Sequence, residues 1–208
     1  MRHSNREINY IAILLLVTIV NSFGQQAPPE KRFSFFVNGG LGSSQIRELT
    51  LNQTTFESSN QVALSQRIGL NFAYSISDRW QIVAGLNRIS QSLSYTNDQN
   101  LAQSGALSSI SIPLAVRHYT PLSELLKVYA SLGSYYETGQ VDYYSSMGNP
   151  LENNVSQLGA LGNYGLSIAT PNNSGAFFIE GTLRFDLASE FLQRNEFYLS
   201  LGYVFNLF

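Results

Sequence analysis

The chain has 208 residues, room for one domain with a sizeable core. It has no cysteine, which excludes a disulfide framework, thiolate metal sites, a cysteine nucleophile and a lipidated cysteine. Charged residues make up 12% of it, about half the usual share, and the net charge of −2 is too near neutral to point to nucleic acid.

The N-terminus reads as an export signal. Arg2 and Arg6 form a positive start, residues 10–20 are an apolar run, and Asn21-Ser22-Phe23-Gly24 supplies small residues for cleavage before Gln25. The apolar run holds 11 residues, against the roughly 20 a membrane-spanning helix needs. Residues 1–24 are therefore expected to be removed as a signal peptide, leaving a net charge of −3. Residues 25–32, with Pro28-Pro29, form a linker, and residues 33–208 form one domain.

From Phe33 onward the chain alternates at period 2 and shows no helical stripe. The clearest run is 62–76. Val62, Leu64, Ile68, Leu70, Phe72, Tyr74 and Ile76 share one parity, broken by Gln66, while Ala63, Ser65, Arg67, Gly69, Asn71, Ala73 and Ser75 share the other. The same pattern runs through 109–117, 127–137, 177–187 and 197–207, and more weakly through 33–42, 80–95 and 158–170. In 80–95 the apolar parity slips near Arg88 and Ile89, which predicts a bulge or a stretch rising beyond the lipid.

Eight strands are expected. Three connections are short (77–79, 120–126 and 171–175), two are long and polar (43–61 and 139–157), and 96–104 and 188–196 are intermediate. Short turns at one end and long loops at the other predict an all-β fold: an eight-stranded antiparallel up-and-down transmembrane β-barrel with both termini in the periplasm.

A soluble barrel would reverse the faces and scatter Lys and Glu over its exterior. Here the polar parity is rich in Gly, Ala, Ser and Asn, with isolated charges at Arg67, Arg117, Lys127, Glu137, Glu180, Arg184 and Asp186. An eight-stranded interior is wide enough only to be filled with side chains, so these residues are expected to plug the lumen as ion pairs. The specific expectation is that Glu180 pairs with Lys127 or Arg117. The alternative is a gated polar path for a small solute or proton. Tyr74, Trp80, Tyr203 and Phe205 stand where aromatic girdles meet the membrane interface.

The segment Ser111-Ile112-Pro113-Leu114-Ala115-Val116-Arg117-His118-Tyr119 resembles the IPL…Y strand of the PorT-like and OmpX/OmpA-like outer-membrane barrels common in Bacteroidota. The run Val128-Tyr129-Ala130-Ser131-Leu132-Gly133 is similar to that family's next strand. The resemblance implies residence in a Gram-negative outer membrane, contact with its lipid, handling by the barrel-assembly machinery and a secretion apparatus as one partner class. One departure is that Phe208 is out of phase with Leu207, Phe205 and Tyr203, whose outward face a terminal Phe usually shares.

The residues point away from catalysis, cofactors and bound metal. The mature chain keeps one histidine, His118, on the outward parity at the short-turn end, where a base would reach no proton partner. No His or carboxylate string has metal-ligand spacing, and no glycine-rich phosphate loop appears. The expected role is structural or surface-interacting, through loops 43–61 and 139–157. An extracellular ligand or secretion-system protein is the expected partner there, with Tyr143-Tyr144 as contact area. A narrow channel or a lipid A-modifying enzyme are the rivals.

Overall fold

The computed structural model describes residues 33–51, 54–57, 62–96, 102–144, 150–170, 174–189 and 192–207. The expected signal peptide, the linker and Phe208 lie outside these residues.

Long period-2 runs satisfy their backbone by pairing strand to strand. The chain does this in β1 (Phe33–Leu51), β2 (Thr54–Glu57), β3 (Val62–Ser75), β4 (Trp80–Thr96), β5 (Ala102–Pro121), β6 (Leu126–Tyr144), β7 (Pro150–Ala169), β8 (Gly175–Ser189) and β9 (Leu192–Asn206). From β3 to β9 each strand pairs antiparallel with the next, and β1 pairs with both β3 and β9. The sheet thus closes into an eight-stranded barrel. β2 flanks the end of β1, from Glu48↔Glu57 to Leu51↔Thr54. At the opposite end the closure is sealed by Leu207, whose N–H donates to the carbonyl of Phe33 at 2.9 Å.

Two expectations change. The long polar segments are largely strand: β1 runs on to Leu51 and is met by β2, while β6 and β7 extend to the pairs Tyr143↔Leu151 and Tyr144↔Pro150. Segment 139–157 reads as loop because its outward residues Gln140, Asn154 and Ser156 are polar, while the inward parity keeps only isolated apolar residues such as Val141 and Val155. The predicted irregularity at Arg88–Ile89 is no bulge, since β3 and β4 pair without a break from Ser65↔Gln91 to Ser75↔Gln81. Instead the sides exchange chemistry there, with Ile89 buried in the lumen and Arg88 exposed outside. The register shifts fall at Ile46/Glu48 in β1 and Leu158/Gly159 in β7.

The two parities sort as a membrane barrel sorts them. Leu64, Ile68, Phe72, Ile110, Leu114, Leu132, Phe177, Leu187, Leu199 and Leu201 are exposed on the outer wall. Arg67, Asn71, Ser111, Arg117, Glu137, Glu180, Thr182, Arg184 and Ser200 are buried inside it. The barrel is therefore polar within and apolar without, the reverse of a water-soluble core.

A narrow lumen restricts what can stand opposite a ring. Tyr129 pairs with Gly165 and Tyr198 with Gly42, and a Cβ at either glycine would collide with the partner ring. Near the short-turn mouth Phe36, Ala73, Val83, Tyr119, Tyr129, Phe178 and Val204 pack into a floor across the lumen. Toward the other mouth Leu107, Val141 and Val155 are buried.

Leu132, 77% exposed in the middle of the apolar stretch of β6, tests the outward face. Leu132→Arg is expected to lower the unfolding free energy in lipid vesicles by about 2–4 kcal/mol, measured by denaturant titration. A water-facing wall would tolerate the change within about 0.5 kcal/mol.

Candidate functional site

Inward positions on β3, β5, β6, β8 and β9 bring eight charged side chains into the lumen: Arg67, Arg117, Glu137, Glu180, Arg184, Asp186, Arg194 and Glu196, all buried. Four arginines thus face four carboxylates. A buried charge without a partner is costly, so this parity matters more than any one pair.

The network has two tiers. In the tier nearer the short-turn mouth, Glu180 receives Arg117 Nη2 at 2.8 Å and Arg67 Nη2 at 3.4 Å. The Tyr129 hydroxyl also donates to Glu180, at 3.1 Å, and Arg67 Nη2 reaches the hydroxyls of Thr182 at 3.1 Å and Ser200 at 2.9 Å. Arg117 Cζ lies 4.2 Å from the Tyr129 ring centre and 5.1 Å from that of Phe36. In the farther tier Arg184 pairs with Glu137 and, at 2.8 Å, with Glu196. Arg194, wholly buried, reaches Glu137 at 2.8 Å, Glu196 at 3.2 Å and Asp186 at 3.3 Å. The Tyr135 hydroxyl donates to Asp186, and the Ser109 hydroxyl donates to Glu137 at 2.7 Å.

Of the residues named from sequence, Arg67, Arg117, Glu137, Glu180, Arg184 and Asp186 meet in this network. Lys127 does not: it has the inward parity but lies exposed at the short-turn rim, where it lines a vestibule with Asp78 and Glu124. Of its two expected partners Glu180 meets Arg117, and Arg67 takes the place beside it. Arg194 and Glu196 were missed because 188–196 read as a connection. The signal was present: Arg194, Glu196, Tyr198 and Ser200 continue one inward parity to the start of β9.

Between the tiers and the floor lies a cavity of about 40 Å³, bordered by Arg67, Asn87, Arg117, Asn163, Glu180 and Arg184. That is room for a few water-sized particles and not for a solute path.

On the outer wall the aromatics gather at the short-turn end. Tyr203 lies 4.6 Å from Phe205 and 4.8 Å from Phe177 between ring centres, Tyr74 stacks at 5.2 Å on Phe33, and Trp80 lies 4.6 Å from the His118 ring. His118 is thus an outward neighbour of Trp80 on the adjoining strand, away from every lumen carboxylate.

No protein-family model matches the chain, and no curated protein matches it. Solved structures do. The outer membrane protein OprG from Pseudomonas aeruginosa is 13% identical, covering 84% of this chain and 96% of that one, at a TM-score of 0.56. Neisserial surface protein A is 11% identical over 83% of this chain and 97% of that one, at 0.54. Ail, the attachment invasion locus protein of Yersinia pestis, solved with the heparin analogue sucrose octasulfate, is 15% identical over 84% and 99%, at 0.50. At these identities the likeness carries the fold: a small closed barrel of the kind found in outer membranes.

Glu180→Gln leaves two buried guanidinium groups facing a neutral amide. It is expected to cost about 3–5 kcal/mol of unfolding free energy. Lys127→Gln at the exposed rim is expected to stay within about 0.5 kcal/mol, both read from urea unfolding in detergent or lipid.

Proposed function

We propose that this chain is a non-enzymatic protein of a Gram-negative outer membrane, whose filled barrel is a rigid mount for a surface that meets an extracellular ligand or protein. The observation that carries the reading is the pairing of an apolar outer wall with a lumen closed by ion pairs and an aromatic floor. A wall of exposed leucine and phenylalanine belongs in hydrocarbon, and a barrel so filled is built to stand rather than to conduct.

In this reading the short-turn mouth faces the periplasm with both ends of the barrel, and the extended ends of β1, β4, β5, β6 and β7 face outward. Tyr74, Trp80, Tyr203 and Phe205 anchor the periplasmic interface, where amphipathic rings sit well. The chain is exported through a signal peptide cleaved after residue 24 and inserted by the barrel-assembly machinery. His118, set against Trp80, serves as an interface residue, and the lumen charges serve as a structural plug.

A second reading, a component of a secretion apparatus, draws on the resemblance to PorT-like barrels. The two segments that carry it lie side by side, β5 against β6, with Ala115↔Gly133 and Val116↔Leu132 in register. Affinity capture of the tagged protein from cross-linked cells separates the two readings. Recovery of periplasmic secretion proteins supports the second, and their absence supports the free-standing barrel.

Two measurements check the main reading. In fractionated cells the protein is expected in the outer membrane, starting at or within a few residues of Gln25 and migrating differently before and after boiling. A soluble periplasmic location without a mobility shift overturns it. In planar bilayers the protein is expected to give no conductance above leak, and steady single-channel steps would restore the channel reading.

A further inference from the structure

We propose that the lumen binds one small monovalent anion of the halide class between Arg67 and Arg117. The proposal is independent of what the outer surface meets. It rests on how the buried charges are distributed.

Among the described residues four arginines balance four carboxylates in the lumen, but not within each tier. In the tier nearer the short-turn mouth, Glu180 is, among the described residues, the one carboxylate within ion-pair distance of Arg67, at 3.4 Å, and of Arg117, at 2.8 Å. Two cations share one anion, a surplus of one positive charge. In the farther tier Arg184 and Arg194 face Glu137, Glu196 and Asp186, a surplus of one negative charge.

The two surpluses are treated differently. The negative one is covered by neutral donors: the Tyr135 hydroxyl and the Arg194 backbone N–H on Asp186, the Ser109 hydroxyl on Glu137, and the Tyr198 hydroxyl on Glu196. The positive one is covered in part: Arg67 Nη2 donates to the Thr182 and Ser200 hydroxyls and Arg117 Nη1 to the Tyr119 hydroxyl, at 3.4 Å. The Nε–H groups of Arg67 and Arg117 have no hydrogen-bond partner among the described residues, although both side chains are more than nine-tenths buried. The Tyr129 and Phe36 rings lie against Arg117 and the Tyr198 ring, at 5.1 Å, against Arg67, contacts that attract the cations but offer the Nε–H groups at most a weak π acceptor and no lone pair. An unmatched buried cation with unused donors calls for an anion.

The space fits. Both arginines border the cavity of about 40 Å³, which takes a monatomic anion with a water or two and excludes a hydrated sulfate or phosphate. Asn38, Asn87 and Asn163 also border it, and the amide oxygen of each is buried without a partner. A half-turn of these amides presents N–H groups to the same space, which an anion favours and a carbonyl-like oxygen does not. Water alone would fill the volume and leave the surplus charge in place.

The experiment uses the full mature chain folded in detergent. Crystals equilibrated with bromide are expected to show an anomalous peak inside the cavity, within hydrogen-bond reach of Arg67 and Arg117. In solution the melting temperature is expected to rise saturably with bromide or chloride, compared with a bulky sulfonate at equal ionic strength. Arg67→Met, which leaves one arginine to one carboxylate, is expected to abolish both effects. Ordered water with no anomalous signal in the cavity, or bromide at the outer surface as an adventitious ion only, overturns the proposal. An equal halide response in Arg67→Met overturns it as well. Should that variant fail to fold, the bromide map of the unaltered protein decides alone.

Discussion

Closure of the sheet through β1 and β9 is the constraint on which the rest of this molecule depends. Backbone N–H and C=O groups that face hydrocarbon have no water to turn to, so a wall strand must be paired on both sides. Eight strands satisfy that demand with a circumference so small that the interior must be filled. From this follow the glycines opposite Tyr129 and Tyr198, the aromatic floor, and a cavity among the charges with room for a few water-sized particles.

Filling a narrow lumen with arginines and carboxylates is a demanding solution. Replacing such pairs with apolar residues of similar volume often leaves stability unchanged or raises it, whereas losing one partner is severe. What charge supplies here is exclusion of alternatives. A strand slipped by one residue would put Arg67 or Arg184 into the outer wall and a leucine into the lumen, so the pattern of charges guards the register. Arg67 and Arg117 reach Glu180 from β3 and β5, and Arg184 and Arg194 reach Glu137 from β8 and β9, so the ties run across the barrel rather than along its wall.

The long strands give the barrel its asymmetry. At one end tight turns at Ser77–Trp80 and Leu122–Leu126 join their strands, and the start of β1 meets the end of β9. At the other, β6 and β7 continue as a paired hairpin and β1 rises to meet β2. A rigid filled cylinder with paired strands above it holds its outer surface in a fixed geometry, which lowers the ordering cost of an encounter. That is the physical basis for the proposed surface-interacting role.

The sequence by itself determined the fold class and the sides. Period-2 alternation in 62–76 and 177–187 assigns each residue to wall or lumen without any knowledge of partners, because the pleat alone does so. It also put Arg67, Arg117, Glu137, Glu180, Arg184 and Asp186 on one side. It could not show which of them meet, since partners on β3, β5 and β8 are set by strand tilt and register, which alternation does not encode. Height along the barrel was equally hidden. Lys127 shares the inward parity but falls at the rim, and Arg194 and Glu196 look like a loop until β9 is seen to begin at Leu192. Only the tertiary structure decided that the charges divide into two tiers of opposite surplus, because that depends on distances across the lumen.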